Sequence, residues 1–238
     1  MSNSYFKFKR FTVYQDSCAM KVGTDGTLLG AWAEVPVVPN HPRILDIGTG
    51  TGLIALMMAQ RFPEAQVLGI DIDADSVAQA LENVKASPFA SRINIEQSDI
   101  RTFHSKDTFD AIVTNPPYFV DSLICPDSQR TTARHTVDLS YAELVRAAFR
   151  LLSDNGLFSL IIPIECRSQL EAEAHLTGFF PGRICLIKTT PKKTPKRCLI
   201  EFAKHLVNEF VESEGIIESK PGIRSSWYQQ LTQEFYIK

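Results

Sequence analysis

The seven residues Asp46-Ile-Gly48-Thr-Gly50-Thr-Gly52 constrain this chain more than any other stretch. They follow a short apolar run, Arg43-Ile-Leu-Asp-Ile47, and open an Ala- and Met-rich stretch, Leu53 to Arg61, that suits a helix. Glycines let the chain turn sharply and let backbone approach a ligand closely. A helix N-terminus beside them offers unpaired N–H groups. The structural alternative is a plain strand-to-helix turn.

Downstream, β-rich runs alternate with helical stretches. Gln66–Ile70, Ile93–Ile95, Phe109–Val113 and Leu157–Ile162 read as strands, and Ile184–Ile187 with Cys198–Phe202 as a final strand pair. Asp73–Ser87, Ser140–Leu152 and Cys166–Leu176 read as helices, with Asp73 or Asp75 and Ser140 as caps. Asp154-Asn-Gly156 reads as a turn. This alternation predicts an α/β, doubly wound, mostly parallel sheet with ligands at the carboxyl ends of its strands. Residues 41–204 form the expected core. Residues 1–40, with a small hairpin, form an N-terminal extension packing on the cofactor and substrate side, and 205–238 a C-terminal extension closed by Leu231, Phe235 and Tyr236.

Composition narrows the class. With 238 residues, 44% hydrophobic and 22% charged, the chain is neither disordered, collagen-like nor coiled coil. No run approaches the ~18 apolar residues of a membrane-spanning helix. The first ten residues lack a signal-peptide core, so a cytosolic, monomer-sized protein is expected. Cys18, Cys125, Cys166, Cys185 and Cys198 form no CxxC pair, which argues for reduced, mostly buried thiols and against a metal site.

Spacing selects the ligand. A dinucleotide fingerprint needs a third glycine where Leu53 stands. Asp46 would repel a pyrophosphate and suits a cationic ligand such as S-adenosylmethionine. Asp71 lies at the end of the second strand, where a carboxylate can accept both ribose hydroxyls. Asp71 or Asp73 could instead only cap the next helix; Asp71 is expected at the ribose and Asp73 at the cap. Asp99 can accept from an adenine amine with Ile100 on the ring, although aspartates at strand ends are common. Thr24 and Asp25, in Lys21–Gly26, are candidates to cover the methionine end; the alternative is a capped turn before a helix starting near Thr27.

The fourth strand ends in Thr114-Asn115-Pro116-Pro117-Tyr118. Two prolines fix the backbone and remove donors, leaving acceptors at the ligand end. A rigid turn explains the prolines but not the flanking Asn115 and Tyr118.

Together, Asp46-x-Gly48-x-Gly50-x-Gly52 and Asn115-Pro-Pro-Tyr118 resemble the class I S-adenosylmethionine-dependent methyltransferases that modify a planar amine or amide nitrogen. The resemblance implies a seven-stranded Rossmann-like sheet, S-adenosylmethionine as cofactor, and Asn115, Pro116 and Tyr118 as catalytic residues, with Asn115 also bordering the cofactor. Phe11-x-Val13, Ala19 to Gly26, Leu28-Leu-Gly30-Ala-Trp32 and Leu231-Thr-x-x-Phe235-Tyr236 are similar to the bacterial tRNA1(Val) adenine methyltransferase family. That similarity runs from about residue 6 to the C-terminus and weakens over 204–226. It implies methylation of the exocyclic amine of adenine 37, beside the anticodon, with the tRNA anticodon arm as partner.

A net charge of −2 gives no global basic surface for RNA, but seven of the 25 cations lie in two acid-free segments. These are 5–10, with Lys7, Lys9 and Arg10, and 191–197, with Lys192, Lys193, Lys196 and Arg197. Arg130 and Arg134 follow the Asn-Pro-Pro-Tyr loop and are placed to meet phosphates near the target base. A charge run is otherwise a solvated face. The competing functions are the same chemistry on a ribosomal RNA guanine or a protein glutamine, a nicotinamide-dependent oxidoreductase, and a non-catalytic RNA module.

Overall fold

The structure is a computed structural model that describes residues 4–16, 21–38, 41–116 and 139–237. Its elements run in the order β1 (Tyr5–Lys7), β2 (Thr12–Tyr14), α1 (Thr24–Trp32), β3 (Arg43–Ile47), α2 (Leu53–Arg61), β4 (Gln66–Asp71), α3 (Ala74–Lys85), β5 (Ile93–Gln97) and β6 (Phe109–Thr114). Then follow α4 (Tyr141–Leu151), β7 (Leu152–Pro163), α5 (Arg167–Thr177), β8 (Phe180–Lys188), β9 (Arg197–Ala203), β10 (Val211–Ile216), β11 (Glu218–Lys220), β12 (Ile223–Arg224) and α6 (Ser226–Thr232).

The central sheet has the order β10-β8-β9-β7-β6-β3-β4-β5, and only β9 runs against its neighbours. The chain steps outward from β3 through β4 to β5, then returns to β6 on the other side of β3. Strand order thus reverses beside β3, where an open α/β sheet leaves a ligand crevice. β3 is buried on both faces, as a covered parallel strand must be. Ile44 packs with α1, α2, α3 and the terminal segments, whereas Leu45 packs with α4 and α5. All seven residues of Leu53–Ala59 are buried, because α2 is covered by the sheet on one side and α1 on the other.

Three expectations need correction. The sheet has eight strands, not seven. β10 pairs in parallel with β8 at the edge, and its exposed Val-Glu-Ser-Glu sequence carries no buried-strand pattern. Residues expected in a C-terminal extension therefore complete the main sheet. Asp154-Asn-Gly156 is not a turn between elements but a wide bulge inside β7: Phe109 pairs with Leu152, and the next pair is Ala111 with Leu157. Finally, α1 begins at Thr24 rather than near Thr27. Gly26 and Gly30 are helix-packing glycines, since a Cβ would meet Leu53 at 3.1 Å and Met57 at 2.8 Å.

The two termini pack together. Phe6 and Phe8 meet the Tyr236 ring at 5.8 and 5.7 Å between centroids, and the Lys9 amide donates to the Phe235 carbonyl at 2.8 Å. The β1–β2 hairpin and α6 thus close over the layer that holds α1, α2 and α3. Cys166, Cys185 and Cys198 are buried and unbridged, and burial pushes the Cys198 thiol up to about 12, which leaves it no nucleophilic role near neutrality. Cys18 and Cys125 lie outside the described residues. No described helix is long and apolar enough to cross a membrane.

Candidate active site

Four neighbouring parallel strands, β6, β3, β4 and β5, deliver Asn115, the glycine loop, Asp71 and Asp99 to one edge of the sheet. The loop uses its glycines for conformation: φ is +68° at Gly48, +54° at Gly50 and +79° at Gly52. The N–H groups of Gly48 and Thr49 both donate to the Ile70 carbonyl, at 2.9 and 3.0 Å, and Gly50 N–H donates to Asp71 Oδ2 at 2.9 Å. A Cβ on Gly48 or Gly50 would meet nothing within 4 Å, so the described residues leave the space above the loop open. At Gly52 a Cβ would meet Ala80 at 3.4 Å, so this glycine lets α2 start against α3.

Asp46 is fully buried beneath the loop. Its Oδ2 accepts from the Thr49 hydroxyl at 2.7 Å and from Ala55 N–H at 3.1 Å, while Oδ1 has no partner among the described residues. Burial, with Asp71 adding to it, pushes its carboxyl up to about 7, against the two hydrogen bonds. Asp71 is half-buried and rigid: Oδ2 takes Gly50 N–H, and Oδ1 takes Asp73 N–H at 3.0 Å. Each oxygen keeps acceptor capacity toward the open side. Asp73 is the cap, accepting from Ser76 N–H at 3.1 Å and its hydroxyl at 2.8 Å.

Asp99 is held by the Arg101 guanidinium, which lies 2.9 Å from both carboxylate oxygens through Nε, and this pairing lowers its pKa. Ile100, expected beside it, is buried in the core. Thr114, the last residue of β6, donates its hydroxyl to the Ile47 carbonyl at 2.9 Å. That bond ties the strand end before half-buried Asn115 and buried Pro116 to the strand end before Gly48. Tyr118, Arg130 and Arg134 lie outside the described residues.

Thr24 and Asp25 occupy the first turn of α1, and Asp25 Oδ2 accepts from Arg197 Nε at 2.9 Å. This pair joins a residue expected at the cofactor to one expected at RNA. Lys192, Lys193 and Lys196 are exposed in the β8–β9 connection. Because β8 runs parallel to β7 and β6, that connection leaves the sheet on the same edge as Asn115.

Residues 33–183 match the methyltransferase small domain family. The chain belongs to this family. Curated relatives cover it from end to end. A tRNA1(Val) (adenine(37)-N6)-methyltransferase of Phocaeicola vulgatus is 51% identical over 100% of this chain and 99% of its own. One of Bacteroides fragilis (strain ATCC 25285) is 47% identical over 100% of both. A predicted O-methyltransferase from Agrobacterium tumefaciens shares the fold with TM-score 0.68 at 18% identity, covering 89% of this chain and 96% of that one.

Two structural residues of this methyltransferase escaped sequence reasoning. Asn83 is fully buried; its Nδ2 donates to the carbonyls of Tyr14 and Thr51, both at 2.9 Å, and its Oδ1 accepts from Tyr14 N–H at 2.8 Å. It clamps the hairpin to the glycine loop. A Cβ on Gly69 would meet the Thr49 hydroxyl and Ile95, each at 2.7 Å, so β4 must be bare beneath Thr49. Neither stands in a recognisable motif: an Asn within a helical pattern and a Gly within an apolar run carry no local signal of their partners.

Proposed function

We propose that this protein transfers a methyl group from S-adenosylmethionine to the exocyclic amine of adenine 37 in tRNA1(Val), in the cytoplasm. The observation that carries the reading is full-length identity of 45–51% to proteins that bear this name, joined to an Asp-x-Gly-x-Gly-x-Gly loop and an Asn-Pro-Pro-Tyr segment.

The residues present fit the cofactor. The space above Gly48 and Gly50 is one that any Cβ would begin to fill. Asp71 presents a fixed carboxylate beside it for ribose hydroxyls. Asp46, whose buried Oδ1 has no partner among the described residues, holds a carboxyl that a cationic ligand above the loop would draw toward its charged form. Asp99 is assigned to the adenine amine and Thr24 and Asp25 to the methionine end; the pairing of Asp99 with Arg101 and of Asp25 with Arg197 sets the orientation of both carboxylates. S-adenosylmethionine supplies an electrophilic methyl group on a sulfonium.

The amine nitrogen of adenine is a weak nucleophile because its lone pair is delocalised into the ring. Asn115 Oδ1 and the Pro116 carbonyl accept its two hydrogens, which favours a tetrahedral nitrogen and localises the lone pair. Tyr118 stacks on the base, a contact worth about 1–3 kcal/mol in single-stranded recognition. Rate acceleration then comes from positioning and fixed dipoles rather than from a strong general base. Arg130, Arg134, Lys192, Lys193, Lys196 and Arg197 are assigned to phosphates around the target loop.

The test is label transfer. Protein incubated with S-adenosylmethionine carrying a labelled methyl group and total tRNA from a strain without the enzyme should label one tRNA at adenine 37. Label on ribosomal RNA or on a protein glutamine instead of tRNA would refute the reading.

A further inference from the structure

We propose that the outward face of the β1–β2 hairpin is a docking platform for unpaired nucleotides of the RNA substrate, with Tyr5 and Tyr14 as the stacking surface. The RNA occupant rests on the function proposed above.

Strand register carries the argument. Tyr5 pairs with Tyr14 and Lys7 with Thr12, so these four side chains share one face. Phe6 and Val13 form the intervening pair and face inward; Val13 is fully buried. The hairpin is held by that inner face, with Phe8 and Phe11 stacked at 4.8 Å and both buried. The tyrosines take no part in it. They remain 52% and 41% exposed, with ring centroids 6.2 Å apart and planes tilted by 51°. Two adjacent exposed aromatic rings are an unusual use of surface, and a base has a π-face to offer each of them.

Charge complements the rings. No acid occurs from Tyr5 through Gln15, while Lys7, Lys9 and Arg10 are all exposed. Arg10 is positioned with its guanidinium 5.1 Å from the centre of the Phe89 ring, and Lys9 donates to the Gln233 carbonyl, so both cations have defined places at the turn end of the hairpin, with Lys7 between them and the aromatic pair. Phosphates between stacked bases meet Lys7 on the same face.

Position completes it. The Asn83 side chain bonds Tyr14 backbone on one side and the Thr51 carbonyl of the glycine loop on the other. The Tyr14 backbone therefore lies one side chain's breadth from the glycine loop, which ties the hairpin to the element that carries the site.

The experiment compares the full-length protein with Tyr5→Ala/Tyr14→Ala, Tyr5→Phe/Tyr14→Phe and Lys7→Glu. It measures anisotropy of a fluorescent anticodon-arm RNA together with steady-state methyl transfer. The double alanine variant should raise Kd and KM for RNA roughly tenfold or more, with kcat, S-adenosylmethionine binding and melting temperature unchanged; the double phenylalanine variant should stay near wild type. Lys7→Glu should reduce the salt slope of binding by about one. RNA affinity of the double alanine variant equal to wild type overturns the platform. Absence of methyl transfer to RNA by the wild type instead overturns the proposed function, and the binding comparison still decides the platform.

Discussion

The Thr49 hydroxyl donates to Asp46 Oδ2 across 2.7 Å inside the protein, and no part of Asp46 reaches solvent. The bond favours the charged carboxylate, but burial outweighs it and lifts the pKa to about 7. Below about pH 4 the folded and unfolded chains carry this proton alike. As pH rises toward 7 the unfolded chain has released it and the folded chain has not, so this group's contribution to stability declines. Denaturant titrations between about pH 5 and 8 should show wild type losing on the order of 2 kcal/mol relative to Asp46→Asn. Parallel curves for the two proteins would count against a protonated Asp46.

The clamp at Asn83 predicts a structural effect at a distance. Asn83→Ala deletes three hydrogen bonds, one buried and two partly buried, and leaves the Tyr14 amide and two carbonyls without this partner. It should cost about 2–4 kcal/mol in denaturant unfolding. Amide exchange at Tyr14 should accelerate more than exchange in β6; uniform acceleration would mean that the hairpin is not separately tethered.

Two glycine-to-alanine changes should separate binding from folding. Gly50→Ala places a methyl in open space at φ +54° and should cost about 1–2 kcal/mol in stability while abolishing detectable S-adenosylmethionine binding by calorimetry. Gly69→Ala collides with Thr49 and Ile95 and should destabilise by about 1–3 kcal/mol. A Gly50→Ala protein with normal cofactor affinity would place the ligand elsewhere.

Asn115→Ala should lower kcat about 100- to 1,000-fold, the usual cost of removing one polar contact to a reacting group, and leave cofactor affinity within about twofold. Turnover close to wild type would remove Asn115 from the proposed mechanism.

Much of the fold was legible because its signals are local. The apolar runs that became β3, β4 and β6 end at the residues where the structure ends them or one residue earlier, since a strand covered on both faces needs an unbroken apolar run. Ser140, expected as a cap from its place before the helical run, caps α4, and the structure adds its reciprocal box with Glu143. What escaped is non-local. β10 owes its place to β8, with Gly215 bare beneath the Trp227 ring, and its sequence reads as a polar loop. The bulge in β7 is visible only beside β6. At the candidate site, order and spacing led to the expectation that the glycine loop and Asp71 share one strand edge, and the structure brings them together. The Asp25–Arg197 pair was not legible in this way, because 172 residues separate its members.

The reversed strand β9 has an evolutionary consequence. Because it runs against β7 and β8, the turn that enters it opens at the rim that holds Asn115 rather than at the opposite end. Lengthening a surface turn costs little free energy, about 0.6 kcal/mol per doubling. This turn can therefore gain or lose residues, and with them cations, without altering any strand register. The architecture separates two rates of change: the strand ends that carry the glycine loop and Asn115 are tied by hydrogen bonds such as that of Thr114 to Ile47, while the positive charge displayed on their rim is set by a segment that is cheap to redesign.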